Sequence, residues 1–164
     1  MKYFIFILLI NSCVSQNDNQ DQKTIAKNFA FDLYFTEKNY EDLLGEYTVL
    51  TKDEIIKGGD YLKQIFNMYR ESSKDKTVRD KDELKIEKYE VEKHKNIVHY
   101  EMDSNCDYYI CFIEGKALGT MIFNKQNKIV SFFPELHKPT SKAIKPAFLK
   151  NIVNSYQEYL EKQK

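Results

Sequence analysis

Tryptophan is absent from this sequence, glycine and proline are scarce, and neither sign of charge is in excess. The 164 residues carry 25 lysines and arginines against 25 aspartates and glutamates, so the formal net charge at pH 7 is zero. Nucleic-acid-binding proteins gain much of their affinity from a basic surface that neutralises phosphates. The balanced charge therefore argues against nucleic acid as a partner.

A long apolar run is also missing at the amino terminus. Tyr3 to Ile10 is apolar over eight residues, whereas a helix that spans a bilayer needs about 20. Met1 and Lys2 place a short positive segment before this run, and that order is typical of a secretory signal peptide. We therefore predict that residues 1–12 are a cleaved signal peptide.

The end of this leader carries a recognisable motif. Ile10-Asn11-Ser12-Cys13 resembles the lipobox of bacterial lipoproteins, in which an aliphatic residue and two small residues precede a cysteine, although Asn11 departs from the usual small residue. The resemblance implies that the Cys13 thiol takes a diacylglyceryl group and that a further acyl chain, such as palmitate, caps the freed amine. Two chains anchor a protein stably, because each buried methylene contributes about 0.8 kcal/mol. The alternative is an ordinary signal peptide cut at or after Ser12, with Cys13 unmodified.

The next segment is polar. Residues 14–22, VSQNDNQDQ, contain one apolar residue and no aromatic one, too little to offset the entropy lost on ordering. We predict that residues 13–22 are a lipidated, flexible tether and that residues 23–164 form one domain, a normal size for a single core. The protein is then expected to be exported and anchored to a membrane, at its periplasmic face or on the cell surface.

Helical periodicity opens the domain. Ile25, Phe29 and Leu33 recur every four residues and predict a helix over 23–37. A short second helix is expected over 40–45. Both precede any strand signal.

A third helix has a defined start and an interruption. Thr51 and Glu54 have the spacing of a capping box. Gly58-Gly59 then interrupts the apolar pattern, and we interpret the pair as a kink. A phosphate-binding loop is disfavoured, because the glycine spacing and the Lys-Ser/Thr pair of such loops are missing.

Strand patterns follow a charged stretch. Residues 71–88 mix acids and bases with few apolar residues, and a solvated helix end and loop are expected there. Short strands joined by turns then predict an antiparallel meander. The predicted strands are one starting at Tyr89 and Val91, followed by 97–102, 108–113, 117–123 and 128–133. The almost wholly apolar 108–113 is expected to be central.

The chain ends in an amphipathic helix that is predicted to begin near Pro146. Its apolar stripe consists of Leu149, Ile152, Val153, Tyr156 and Leu160. The predicted fold class is α+β, with amino-terminal helices packed on a curved antiparallel sheet of four or five strands, plus a carboxy-terminal helix. The element order over 23–133 resembles the NTF2-like and cystatin-like folds, and this resemblance implies helices packed into a strongly curved sheet.

Reactive side chains are few. Cys106 and Cys111 are expected to be free thiols, with Cys111 buried, because five residues of extended chain separate their Cα atoms by more than a disulfide spans. His94 and His99 would face opposite sides of a strand, and with His137 they make a weak case for a metal site. No Gly-x-Ser-x-Gly motif is present. We therefore predict no cofactor and no metal.

These observations favour a non-catalytic, lipid-anchored binding module whose ligand is an envelope protein or a small molecule. One alternative is a small isomerase- or dehydratase-like enzyme that uses Tyr100, Tyr108 and Asp103 in a pocket inside the sheet. Another is an inhibitor or immunity-type lipoprotein, which requires an exposed apolar loop. The most informative structural feature is therefore whether the sheet encloses an open cavity.

Overall fold

A computed structural model describes the backbone of residues 11–134 and 143–163 and the side chains of residues 22–132 and 143–163. The expected signal peptide, residues 1–12, lies almost wholly outside the described residues, and so does His137. Cys13 lies in the described backbone, but its side chain does not belong to the described part.

In the described residues, three α-helices precede the first strand, a short one lies between the first two strands and one follows the last strand. The helices are α1 (Asn11–Phe35), α2 (Tyr40–Tyr47), α3 (Lys52–Ser72), α4 (Val91–His94) and α5 (Leu149–Lys162). The strands are β1 (Lys85–Lys88), β2 (Asp107–Ile113), β3 (Lys116–Phe123) and β4 (Ile129–Pro134). The predicted α+β class is confirmed.

Helix α1 begins earlier than the sequence predicts. It includes residues 13–22, for which composition predicts a flexible tether. Gln22 is buried at 3% exposure, and its Nε2 donates to Asn127 Oδ1 at 2.8 Å. The Tyr109 hydroxyl donates to Gln22 Oε1 at 3.1 Å. Gln22, at the end of the predicted tether, therefore packs against the sheet.

The sheet is an antiparallel meander in the order β1-β2-β3-β4. Its register pairs Ile86 with Cys111, and Met121 with both Tyr109 and Phe132. Strand β2 is paired on both sides, so its predicted central position is confirmed. The sheet has four strands in the described residues, within the predicted four or five.

Two predicted strands are wrong, and one strand is missed. Strand β1 lies in the charged segment that was expected to be a loop, and α4 replaces the strand expected to start at Tyr89 and Val91. The segment 97–102 joins no strand and makes only an isolated bridge from Tyr100 to Ile144. Its apolar alternation has another cause, because Val98 and Tyr100 pack onto one face of the sheet.

Side chains cover both faces of the sheet. On the helix side, the ring of Phe132 lies 5.2 Å from those of Phe29 and Tyr69. On the other side, Tyr100 lies 5.7 Å from Tyr108, with Ile110 in the same cluster. The helix-facing side of the sheet is therefore filled by packed side chains.

Helix α3 has the predicted cap and the predicted kink. Thr51 and Glu54 make both hydrogen bonds of the capping box. Gly59 adopts φ 39° and ψ −127°, which breaks the helix into two arms. At Gly58, an added Cβ would lie 2.6 Å from Leu62 Cγ and 3.3 Å from a Val153 methyl, so this glycine permits the close approach of α3 and α5.

Candidate functional site

The candidate site lies where α3 packs beside α5. The Lys150 ammonium lies 3.2 Å from a Glu54 carboxylate oxygen, and Gln157 Nε2 donates to the Lys57 carbonyl. These contacts join the first arm of α3 to α5. The kink then sets the direction of the second arm, which begins with Tyr61 next to α5.

Tyr61 and Tyr156 form the wall of a groove between these helices. Their ring centroids are 5.1 Å apart and their planes differ by 15°, so the two rings are stacked. The groove has a volume of about 430 Å³, which lies within the usual range for small-ligand sites. We call it the tyrosine groove, and its main lining residues are Tyr61, Asn151, Ile152, Ser155, Tyr156 and Tyr159.

The phenol groups of the groove differ from those of six other tyrosines in the described residues. Six other tyrosine hydroxyls are hydrogen-bonded inside the protein, those of Tyr34, Tyr47, Tyr69, Tyr89, Tyr108 and Tyr109. Within residues 22–132 and 143–163, the hydroxyls of Tyr61, Tyr156 and Tyr159 have no protein partner. The side chains of Asn151 and Ser155 likewise have none there.

The groove is accessible, and its lining residues carry no charge. Tyr159 is 57% exposed and Tyr61 is 40% exposed, so both rings can be reached from outside the protein. The lining consists of aromatic, aliphatic, amide and hydroxyl groups. Rings supply contact area at a low cost in conformational entropy, and the polar groups supply direction. The arrangement is chemically suited to holding a ligand by stacking and hydrogen bonding.

The cysteines lie away from the groove, on β2 and in the turn before it. Cys106 and Cys111 are both free, as predicted, and Cys111 is fully buried. Burial raises the pKa of the Cys111 thiol to about 12 and raises that of Cys106 as well. Both groups are therefore protonated thiols near neutral pH, which are poor nucleophiles.

His94 is buried and lies in the short helix α4, not on a strand. Its Nδ1 lies 2.9 Å from the amide nitrogen of Glu90, which can only donate, and its Nε2 lies 3.2 Å from a Glu87 carboxylate oxygen. Nδ1 also lies 3.1 Å from the Glu90 carbonyl oxygen, so both ring nitrogens have partners within the protein. His99 does not join His94, and the described residues contain no group of three metal-ligating side chains.

Three residues were expected to serve an enzyme pocket. Tyr100 and Tyr108 lie on the face of the sheet opposite α1, and Asp103 lies in the loop before β2. Tyr108 and Tyr100 are buried, and the Tyr108 hydroxyl accepts from the Asp103 amide at 3.0 Å. Burial raises the pKa of Tyr108. Tyr100 and Tyr108 therefore lie in packed surroundings, whereas Asp103 is exposed.

Exposed apolar side chains bear on the inhibitor alternative. In the described residues, most of the large exposed ones lie on helices α3 and α5, and Met102 lies in the loop before β2. The exposed apolar surface is therefore formed chiefly by helices, whereas the sequence-based alternative required a loop.

Comparisons with known proteins found no relative of this chain. No protein-family model matches the sequence, and neither the curated proteins nor the solved structures contain a match. In the part of the chain that the structure describes, no helix has the length and apolar character needed to cross a membrane.

The sequence indicated only part of the groove. Ile152 and Tyr156 belong to the predicted apolar stripe of α5. Tyr159 was not assigned to that stripe, although it follows Tyr156 at i+3 and Ile152 at i+7 and so lies on its edge. Tyr61 follows the kink in α3. The available signal was indirect, since Tyr61 comes directly after Gly58-Gly59 and Asp60. Nothing in the sequence alone placed Tyr61 against Tyr156.

Proposed function

We propose that this protein is an exported, lipid-anchored binding protein that holds a ligand in the tyrosine groove without transforming it. The observation that carries the proposal is an open aromatic groove whose hydrogen-bonding side chains have no protein partner among the described residues. Ligand sites combine aromatic walls with a few polar groups that fix orientation. The groove offers both.

The anchor is the second part of the proposal. The lipobox-like residues around Cys13 support lipidation, and two or more acyl chains hold a protein on a membrane without a spanning helix. The binding domain then works at the surface of that membrane. Its partner is an envelope component or a small molecule in the same compartment.

The anchor is tested in the native host by intact mass spectrometry and membrane fractionation. We expect the wild-type chain to lack residues 1–12, to carry diacylglyceryl and acyl mass on Cys13, and to fractionate with membranes. Cys13→Ser should abolish the added mass and release the protein. Cys106→Ser is the matched control and should leave both unchanged. An unmodified Cys13 in the wild type disproves the anchor.

The binding site is tested by a screen of envelope extracts and small molecules, followed by titration with two variants. Tyr159→Ser should weaken binding of any ligand that occupies the groove at least about tenfold. Ile56→Ser is the matched control, because Ile56 is also an exposed apolar residue of the α3–α5 region, at 73% exposure, and does not line the groove. Ligand binding that both variants retain would place the site elsewhere.

A further inference from the structure

The side chains of the tyrosine groove restrict the chemistry of its ligand, if the groove has the proposed binding function. Tyrosine and serine hydroxyls and the asparagine amide each donate as well as accept hydrogen bonds. Tyr61, Asn151, Ser155, Tyr156 and Tyr159 supply these groups, and none has a protein partner in the described residues. A matching ligand therefore carries groups that both donate and accept hydrogen bonds.

The absence of charged side chains in the lining reduces the range of possible ligands further. A phosphate or carboxylate is recognised by arginine, lysine or a set of free amides, and the groove residues offer no cationic side chain. Enclosing an ionised group there would remove its water without supplying a counter-charge. The electrostatics of the lining therefore match a neutral ligand.

An extended peptide fits the groove less well. Peptides that add to a sheet use the free backbone groups of an edge strand, but the walls here are helices, whose backbone groups bond within the helix. A proline-rich peptide offers mainly carbonyl acceptors, which would leave the Asn151 carbonyl oxygen without a donor. A fatty acyl chain would fit the rings but would cover the hydroxyl and amide groups without bonding them.

We propose that the tyrosine groove binds a neutral oligosaccharide. A sugar ring has an apolar C–H face and a rim of hydroxyls that donate and accept. The face would stack on the exposed ring of Tyr159, and the hydroxyls would reach Asn151, Ser155 and the phenol groups. The stacked pair Tyr61 and Tyr156 provides a preorganised wall, because each ring holds the other in place.

The test uses the full chain, purified in detergent, on an array of neutral and charged glycans. The best neutral glycan is then titrated by calorimetry. Tyr159→Ser removes the ring and should weaken binding at least about tenfold, as is typical of an aromatic stacking contact. Tyr159→Phe keeps the ring and removes one hydroxyl, so a smaller loss of about three- to tenfold is expected. Ile56→Ser should bind like the wild type.

A second variant separates recognition from folding. Asn151→Asp keeps the shape of the side chain but exchanges its donor for a negative charge, and it should weaken the neutral glycan about tenfold. Because Asn151 is exposed, its thermal unfolding temperature should remain that of the wild type. Equal glycan affinity for this variant and the wild type contradicts the proposal.

The remaining outcomes distinguish this inference from the proposed function. An array with no bound neutral glycan, or with binding insensitive to Tyr159→Ser, overturns the saccharide assignment. If a proline-rich peptide or decanoate binds instead, and Tyr159→Ser abolishes that binding, the assignment fails while the binding function stands. If no ligand depends on the groove, both fail.

Discussion

His94 and Glu87 illustrate how individual polar side chains are used in this protein. His94 is packed between Tyr89 and Phe112, at ring-centroid distances of 5.7 Å and 6.3 Å. Glu87 lies beside its Nε2 and also beside the ammonium groups of Lys85 and Lys93. The Glu87 carboxylate thus links β1 to α4. The His94 imidazole contacts both this carboxylate and the backbone of Glu90, which precedes α4. His94, which the sequence suggested as a weak candidate metal ligand, is thus bonded to Glu87 within the fold.

Glu87 should make folding stability depend on pH. Hydrogen bonds from Lys85, then Lys93 and His94, lower the pKa of the Glu87 carboxyl from 4.5 to about 2. Its ionised form is thus favoured in the folded state, so this contribution is present above the unfolded pKa and is lost as pH falls from about 4.5 towards 2. Glu87→Gln should lower the free energy of unfolding at pH 7, and its difference from wild type should shrink across that window.

Urea unfolding between pH 7 and pH 2 measures this difference. Glu92→Gln is the control, since Glu92 pairs with Lys95 but its side chain is 86% exposed; exposed pairs contribute little. If the difference in free energy of unfolding between the wild type and Glu87→Gln stays constant down to pH 2, Glu87 does not ionise as assigned.

At the scale of elements, α3 determines where the tyrosine groove forms. Its first arm is fixed by the capping box and by contact with α5, and its second arm departs at Gly59. Gly58 allows the approach to Val153, and Gly59 supplies a backbone conformation that residues with a Cβ rarely adopt. The stacking of Tyr61 on Tyr156 depends on both glycines.

Alanine substitutions at two helical glycines should have opposite effects. Gly59→Ala should destabilise the domain by about 1–2 kcal/mol, because φ is positive there. Gly45→Ala should be neutral or stabilising by up to about 1 kcal/mol, since Gly45 lies inside α2 and its added Cβ meets only one Ile55 methyl at 3.9 Å. Denaturant unfolding compares the two, and a stabilising Gly59→Ala would refute the kink as a glycine requirement.

At the scale of the whole molecule, packed side chains cover both faces of the sheet. Helices α1, α2, α3 and α5 cover one side, and α4 with the chain around Val98, Tyr100 and Ile144 covers the other. Cys111 lies in the central strand β2 between these layers and is fully buried. Access to its thiol therefore requires the domain to open.

Thiol labelling should report that opening. In a Cys13→Ser background, the partly exposed Cys106 should react slowly with a maleimide under native conditions, because its raised pKa leaves little thiolate. Cys111 should react only as fast as the domain unfolds. Its labelling rate should rise with urea in parallel with the unfolded fraction. The Cys106→Ser variant isolates the slow site. Rapid native labelling of Cys111 would show that one layer opens independently of global unfolding.

Sequence alone determined the elements with strong local signals. The capping box at Thr51 and Glu54, the kink at Gly58-Gly59 and the apolar run of β2 each depend on neighbouring residues, so short-range patterns suffice to predict them. The same holds for the α+β class, which follows from the order of helical and strand periodicities. The predicted anchor at Cys13 also comes only from local sequence.

Only the tertiary structure decided how these elements meet. The segment 97–102 alternates like a strand, yet it covers the sheet because Tyr108 and Ile110 offer it an apolar face. Strand β1 is short and charged, and only its pairing with β2 makes it a strand. The tyrosine groove arises from two helices that lie far apart in the sequence, and no local pattern encodes a contact between chain segments that meet only when the core has formed.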